Sequence, residues 1–192
     1  MGRKISLGLL MALSLFPLAV FGQSRNEAMA NFISSVYSTK LYTNMPVAPK
    51  DIDIVLKCGI KARSARNTQP WHFTVIKDVQ TMKKIIPDTL EGNVLIVVSG
   101  SEQGNGVVFD CGLATENMYL AAQALGLGSH IYTGPIANLN QNYKSLIGIS
   151  AGYTGVSIIK IGNIKDNVDS VSSASLRRSD SEFINVANNS TN

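Results

Sequence analysis

Val94-Leu95-Ile96-Val97-Val98 is an unbroken apolar run of strand length. A strand with one wet face alternates apolar and polar residues. A continuous run is expected where both faces of the sheet are covered. The covering helices can be read from apolar residues three and four apart. Met29, Phe32, Ile33 and Val36 mark Glu27–Tyr37, and Ile52, Val55, Leu56 and Ile60 mark Asp51–Ile60. Val79–Ile86 is a short helix ended by Pro87. The longest helix, Cys111–Leu125, is expected to be capped by Asp110 and stopped by Gly126 and Gly128. A further short helix is expected near Asn138–Ile147, and strands at Trp71–Ile76, Ser129–Tyr132 and Val156–Ile161. Helices and strands mix without strict βαβ alternation, so the fold class is α+β.

The first residues read as a leader. Arg3 and Lys4 precede the apolar stretch Ile5–Val20, and a small-residue exit follows at Gly22. Residues 1–22 are therefore expected to be a secretory signal peptide, 23–184 one domain, and 185–192 a disordered tail. The alternative is an uncleaved anchor, although the stretch is short for a membrane span and carries Pro17. The expected location is exported and periplasmic. The formal charge of +4 includes Arg3 and Lys4, and no long basic run or aromatic–basic interleaving supports a nucleic-acid partner. Cys58, Cys111, His72 and His130 lack zinc-like spacing, so no metal is expected. Both cysteines sit in apolar helical contexts, where Cys acts as a small buried hydrophobe.

No G-x-S-x-G, Walker loop or strand-to-helix G-x-G-x-x-G is present, and no Ser-His-Asp order stands out. What remains is Arg63-Ser64-Ala65-Arg66-Asn67-Thr68-Gln69-Pro70-Trp71. This segment is denser in polar side chains than packing requires. It lies between a helix and a strand, where rigid elements can hold a loop against a ligand.

Ser64-Ala65-x-Asn67-x-Gln69-Pro70-Trp71-x-Phe73 resembles the signature of the nitroreductase family of FMN enzymes. Ser38-Thr39-Lys40-Leu41-Tyr42, followed by Pro46-Val47, is similar to that family's basic N-terminal motif. Asp110-x-Gly112-x-Ala114-x-x-Asn117 with Gly126-Leu127-Gly128 resembles its long central helix and exit. Gly162 and Arg177-Arg178 fall where the family ends a strand and supplies a C-terminal basic residue. The resemblance runs from about Glu27 to Ile184. It implies a mixed central sheet flanked by helices, in a homodimer with FMN at the subunit interface.

By the same resemblance, Ser38 and Lys40, with Thr39 between them, would meet the phosphate, ribityl or pyrimidine edge of the flavin. Ser64, Asn67 and Gln69, with Arg63 and Ala65, would lie around the isoalloxazine, reaching from the partner subunit. Thr133 and Gly134 would offer backbone groups to the ring, and Arg177 would close on the phosphate. These types suit the task. Cations give a phosphate charge-assisted hydrogen bonds, and amides and hydroxyls serve the carbonyls and nitrogens of the ring edge. As solvated charges and loop-satisfying amides, the same residues would carry no such role. Three departures stand out: Val36-Tyr37 where relatives carry arginine, Arg63 in place of proline, and a compact stretch between Phe73 and Asp110 without a helical insertion.

The implied activity is that of an oxidoreductase in which the flavin performs the hydride chemistry and no side chain is assigned a catalytic role. Its acceptors would be small electron-poor molecules such as nitroaromatics or quinones. NAD(P)H, or an unknown donor in an exported compartment, would supply electrons. The alternatives are a flavin-binding electron carrier without NAD(P)H turnover, or a protein retaining the fold alone.

Overall fold

The computed structural model describes residues 21–104, 106–165 and 177–187, with side chains from residue 27 onward. Residues 1–20 of the expected leader 1–22, and 188–192 of the expected tail 185–192, lie outside these residues. The chain divides at Ser35 into two compact units. The first contains α1 (Phe21–Ser35), whose last residues Ser34 and Ser35 bond back to the carbonyls of Asn31 and Phe32. No described helix is long and apolar enough to cross a membrane.

The second unit runs α2 (Pro49–Ile60), β1 (Trp71–Ile76), α3 (Val79–Ile85), β2 (Val94–Ser101), α4 (Val107–Ala124), β3 (Gly128–Tyr132), α5 (Ile136–Asn142) and β4 (Tyr153–Gly162). The four strands form one sheet in the order β1-β2-β4-β3, and every adjacent pair is antiparallel. The class is α+β, but the described sheet is not mixed. The α4 crossover delivers β3 parallel to β2; β4 then returns between them and pairs antiparallel with both.

The apolar run behaves as a doubly covered strand should. Val94, Ile96 and Val98 join a cluster with Val55, Ala114, Met118, Ala122, Ile159 and Ile161, under α2 and α4. Leu95 and Val97 join Met82, Ile85, Leu139 and Ile158, under α3 and α5. Each such side chain contributes about 1.5–3 kcal/mol by leaving water, so the sheet centre is the stable part of the molecule. Polar groups inside this core are paired. The Thr115 hydroxyl meets the Cys111 carbonyl at 2.7 Å and the Ser157 hydroxyl at 2.6 Å, tying α4 to β4.

Three helix boundaries differ from expectation, the first being α1, which spans Phe21–Ser35 rather than Glu27–Tyr37. α4 begins at Val107 behind a left-handed Gly106, one turn before Asp110, so Asp110 is not its cap. The Gly106 carbonyl accepts from the Asp110 amide, and the Asp110 carboxylate is used elsewhere. α5 covers Ile136–Asn142 rather than Asn138–Ile147. Within it, the Asn140 side chain binds both the amide (2.7 Å) and carbonyl (3.0 Å) of Gly155, docking the helix on β4.

α2 approaches α4 closely at Gly59, where a Cβ would lie 2.7 Å from Met118 Cγ and 3.1 Å from Phe73 Cε2. Met118, fully buried, therefore fills the space between two helices and the sheet. Replacing Met118 by Ala should cost about 2–5 kcal/mol of stability, measured by equilibrium urea denaturation. A loss below the error of that measurement would show that the α2–α4 contact is not part of the core.

Candidate functional site

The polar segment after α2 is held in an unusual shape. Ala65–Asn67 forms a single tight turn, and Arg66, Asn67 and Gln69 all have left-handed backbones, with φ of 52°, 57° and 48°. Non-glycine residues adopt this region at a cost of order 1–3 kcal/mol each, and three within four positions require external restraint. Two anchors supply it. The Ser64 hydroxyl accepts from the Gln69 amide at 2.9 Å, closing the loop on itself. Both oxygens of the buried Asp110 carboxylate accept from the Ala65 amide at 3.2 Å, fixing the loop to the first turn of α4. Asn67 and Gln69 are thereby left exposed. A cleft of about 600 Å³ opens beside them, lined by Ala65, Arg66, Gln69, Ser101, Val107 and Tyr153, among others.

Ser38, Thr39 and Lys40 lie elsewhere, along β3. The Thr39 amide donates to the Ser129 carbonyl at 2.9 Å. Close approach is possible because Gly128 has no side chain; a Cβ there would come within 2.6 Å of Thr39 Cγ2. From α4, the Gln123 amide donates to the Tyr37 carbonyl at 2.7 Å and to the Ser129 hydroxyl at 3.1 Å. Ser38 and Lys40 face outward, while Thr39 is buried with no partner for its hydroxyl. Thr133 and Gly134, at the end of the same strand, are exposed, and nothing lies within 4 Å of where a Gly134 Cβ would stand. Arg177 is exposed and close enough to Tyr119 of α4 to act on its phenol electrostatically.

Thus the structure brings together Ser38, Thr39, Lys40, Thr133, Gly134 and Arg177 around β3. It brings together Ser64, Ala65, Asn67 and Gln69 at the entrance to β1. Arg63, just before the second set, is exposed. β1 and β3 are opposite edges of the sheet, roughly 14 Å apart at the usual strand spacing. The anchor residues Asp110 and Gln123 are separated by a further ~20 Å of helix. Within one chain the two sets do not share a pocket.

Sequence reading missed a buried cluster behind the β3 set. Lys160, fully buried on β4, pairs with exposed Asp88 at 3.0 Å and lies over the rings of Tyr42 (4.8 Å) and Tyr132 (5.6 Å). The Tyr42 hydroxyl donates to the Thr39 carbonyl at 3.0 Å, so Lys160 steadies the turn that carries Lys40. Burial raises the Tyr42 phenol, and burial with the Asp88 charge pushes Tyr132 up to about 12. His130 is shifted downward by burial and by the charges of Lys160 and Lys40. The signal in the sequence was one lysine in an otherwise apolar strand, Ile158-Ile159-Lys160-Ile161. His72 stands exposed against Tyr153, while Trp71 belongs to the core with Phe73 packed on it. Cys111, also in the core, is pushed by burial to about 11. No cluster of metal-ligating side chains occurs among the described residues.

The nitroreductase family model matches residues 33–99 and 90–163. A protein of Archaeoglobus fulgidus, provisionally named NADH dehydrogenase/NAD(P)H nitroreductase, is 32% identical over 156 residues, 74% of this chain and 89% of its own length. The chain belongs to the nitroreductase family. Among solved structures, the FMN-dependent nitroreductase of Clostridium difficile R20291 is similar with a TM-score of 0.65 and 26% identity, over 75% of this chain and 94% of its own. The nitroreductase with bound FMN from Bacteroides fragilis shares the fold with a TM-score of 0.70 at 17% identity, over 83% and 98%. The N-terminal match, the signature loop and the long helix of this nitroreductase-family chain occur in the order read from the sequence.

The Asp110–Ala65 contact can be tested without any ligand. Asp110→Ala should release the left-handed loop and speed hydrogen exchange at the Ala65 amide roughly tenfold or more, as loss of a charged acceptor predicts. Unchanged exchange by NMR would show that the loop holds its shape without α4.

Proposed function

We propose that this chain is an FMN-dependent oxidoreductase that acts as a homodimer, each pocket closed by the β3 set of one copy and the Ser64–Gln69 loop of the other. The observation that carries this reading is the separation of the two donor sets onto opposite sheet edges of a family member. Each set has half of what a phosphorylated ring needs, and two-fold association would unite them. Val108 and Phe109 on α4, and Ile60 at the end of α2, expose apolar side chains close to the loop and suit a subunit contact.

The residues present fit the cofactor. Hydroxyls at Ser38 and cations at Lys40 and Arg177 suit a phosphate and a polar ring edge. The buried Thr39 hydroxyl without a partner marks the same strip as polar beyond the needs of packing. Asn67 and Gln69, turned outward by their left-handed backbones, offer amide donors to carbonyls. When bound, FMN supplies the two-electron carrier and its N5 the hydride chemistry. Lys40 would place positive charge by the pyrimidine edge and favour the reduced, anionic state. The open backbone at Thr133–Gly134 would let a planar ring approach edge-on.

Among the described residues, β2 passes to α4 through a short turn after Ser101 without an intervening helix, which leaves room for a substrate beside the loop. Small planar electron-poor acceptors, such as nitroaromatics or quinones, fit such a space. The leader-like N-terminus supports a location outside the cytoplasm, in the periplasm, where the electron donor need not be NAD(P)H. The short connection from β2 to α4 and the Val36-Tyr37 departure favour a second reading, a flavin-bound electron carrier without NAD(P)H turnover.

The purified chain should be yellow, take up one FMN per subunit, and sediment as a dimer. Absence of both the colour and any FMN uptake on titration would remove the proposal. Steady-state NAD(P)H oxidation with a nitroaromatic or quinone acceptor separates the enzyme from the carrier, which would bind flavin and turn over nothing.

A further inference from the structure

The cleft beside the signature loop is walled by three segments that backbone bonds fix to one another. The Ser101 amide, at the end of β2, donates to the Pro70 carbonyl at 3.0 Å, and the Glu102 amide donates to the Gly152 carbonyl, just before β4, at 2.8 Å. The enclosed volume of about 600 Å³ is of the size usual for small-molecule sites. Tyr153 pairs with Ser101 across the sheet, and His72 lies against its ring with centroids 5.6 Å apart, so that wall is braced. Arg66 is the only charged residue in the lining. It is exposed and held at φ 52° and ψ 22° by the loop whose Ala65 amide is anchored on Asp110. The carboxylates next to the cleft are engaged elsewhere. Glu102 pairs with Lys144 at 2.9 Å, and buried Asp110 accepts from Ala65. Among the described residues, no ion pair satisfies the Arg66 guanidinium.

Resting on the flavin reading above, which makes Gln69 a neighbour of the ring, we infer that this cleft is the acceptor subsite and that Arg66 selects planar acceptors carrying a carboxylate. Pro70, Val107 and the Tyr153 ring give a flat ligand apolar surface, and Gln69 and Gln103 add amide groups. A guanidinium presents paired donors that match the two oxygens of a carboxylate, and such charge-assisted bonds are stronger than neutral ones. With both neighbouring carboxylates engaged, a ligand's acid group has no competitor from within the cleft. An uncharged acceptor of the same outline would gain the apolar contacts alone. The preference is then a difference between two affinities, set by one side chain.

The test titrates 4-nitrobenzoate and 4-nitrobenzamide, alike in shape and different in charge, against the full chain incubated with FMN, following the ligand NMR line widths. The wild-type chain should bind the carboxylate roughly tenfold more tightly than the amide, as a hydrogen bond to a charged group predicts. Added salt should erode that advantage and leave amide binding unchanged. Arg66→Gln should bring the two ligands to one affinity. Arg66→Lys, which keeps the charge and loses the fork, should restore part of the difference. Circular dichroism and FMN uptake are measured on the same samples. An advantage that persists in Arg66→Gln, or that the wild-type chain never shows, would overturn the inference, and normal FMN uptake in those samples would leave the flavin reading intact. The converse result, an Arg66-dependent preference in a chain that takes up no FMN, would support the anion site and overturn both the flavin reading and the acceptor role.

Discussion

The candidate site depends on one helix being held at both of its ends. α4 crosses the buried face of the sheet. Near its start, the Asp110 carboxylate holds the Ala65 amide and, through it, a loop in a conformation that few non-glycine residues accept. Near its finish, Gln123 holds the Tyr37 carbonyl and with it the segment that carries Ser38 and Lys40. Between these points Ala114, Met118 and Ala122 are buried against the sheet, so the helix cannot slide without opening the core. Position at either end is therefore inherited from packing in the middle.

Much of this was legible in the sequence because periodicity and propensity act locally. The β1 boundaries, the doubly covered β2 run and the glycine exit of the long helix follow directly from residue types and their spacing. The start of α4 was misplaced for a physical reason. Asp is a favoured cap, but Asp110 is drawn inward by the Ala65 amide, and Gly106 takes over the turn. α5 is likewise docked by a long-range bond that local residue types do not reveal, Asn140 to Gly155. Side chains that bind distant backbone obey tertiary geometry, which no local rule contains.

The candidate residues were legible as types and segments but not as a single place. Ser38 to Lys40 and Ser64 to Gln69 were both read as binding elements, and the structure puts them on opposite rims of the sheet. That result follows from strand order, which the sequence does not state. β4, last in the chain, inserts between β2 and β3 and pushes the two rims apart. Lys160 escaped notice because a lysine in an apolar strand acquires meaning only from its neighbours, Tyr42, Tyr132 and Asp88.

The division of binding groups between two rims has a genetic consequence. In a two-fold pair, each pocket takes one rim from each chain. A copy damaged in the Ser38 segment and a copy damaged in the Ser64 loop would each be inactive alone. Mixed together, they would form hybrids in which both lesions fall in one pocket and leave the other whole. Under the proposed two-fold pairing, complementation between two defective alleles would follow from the strand order of this fold.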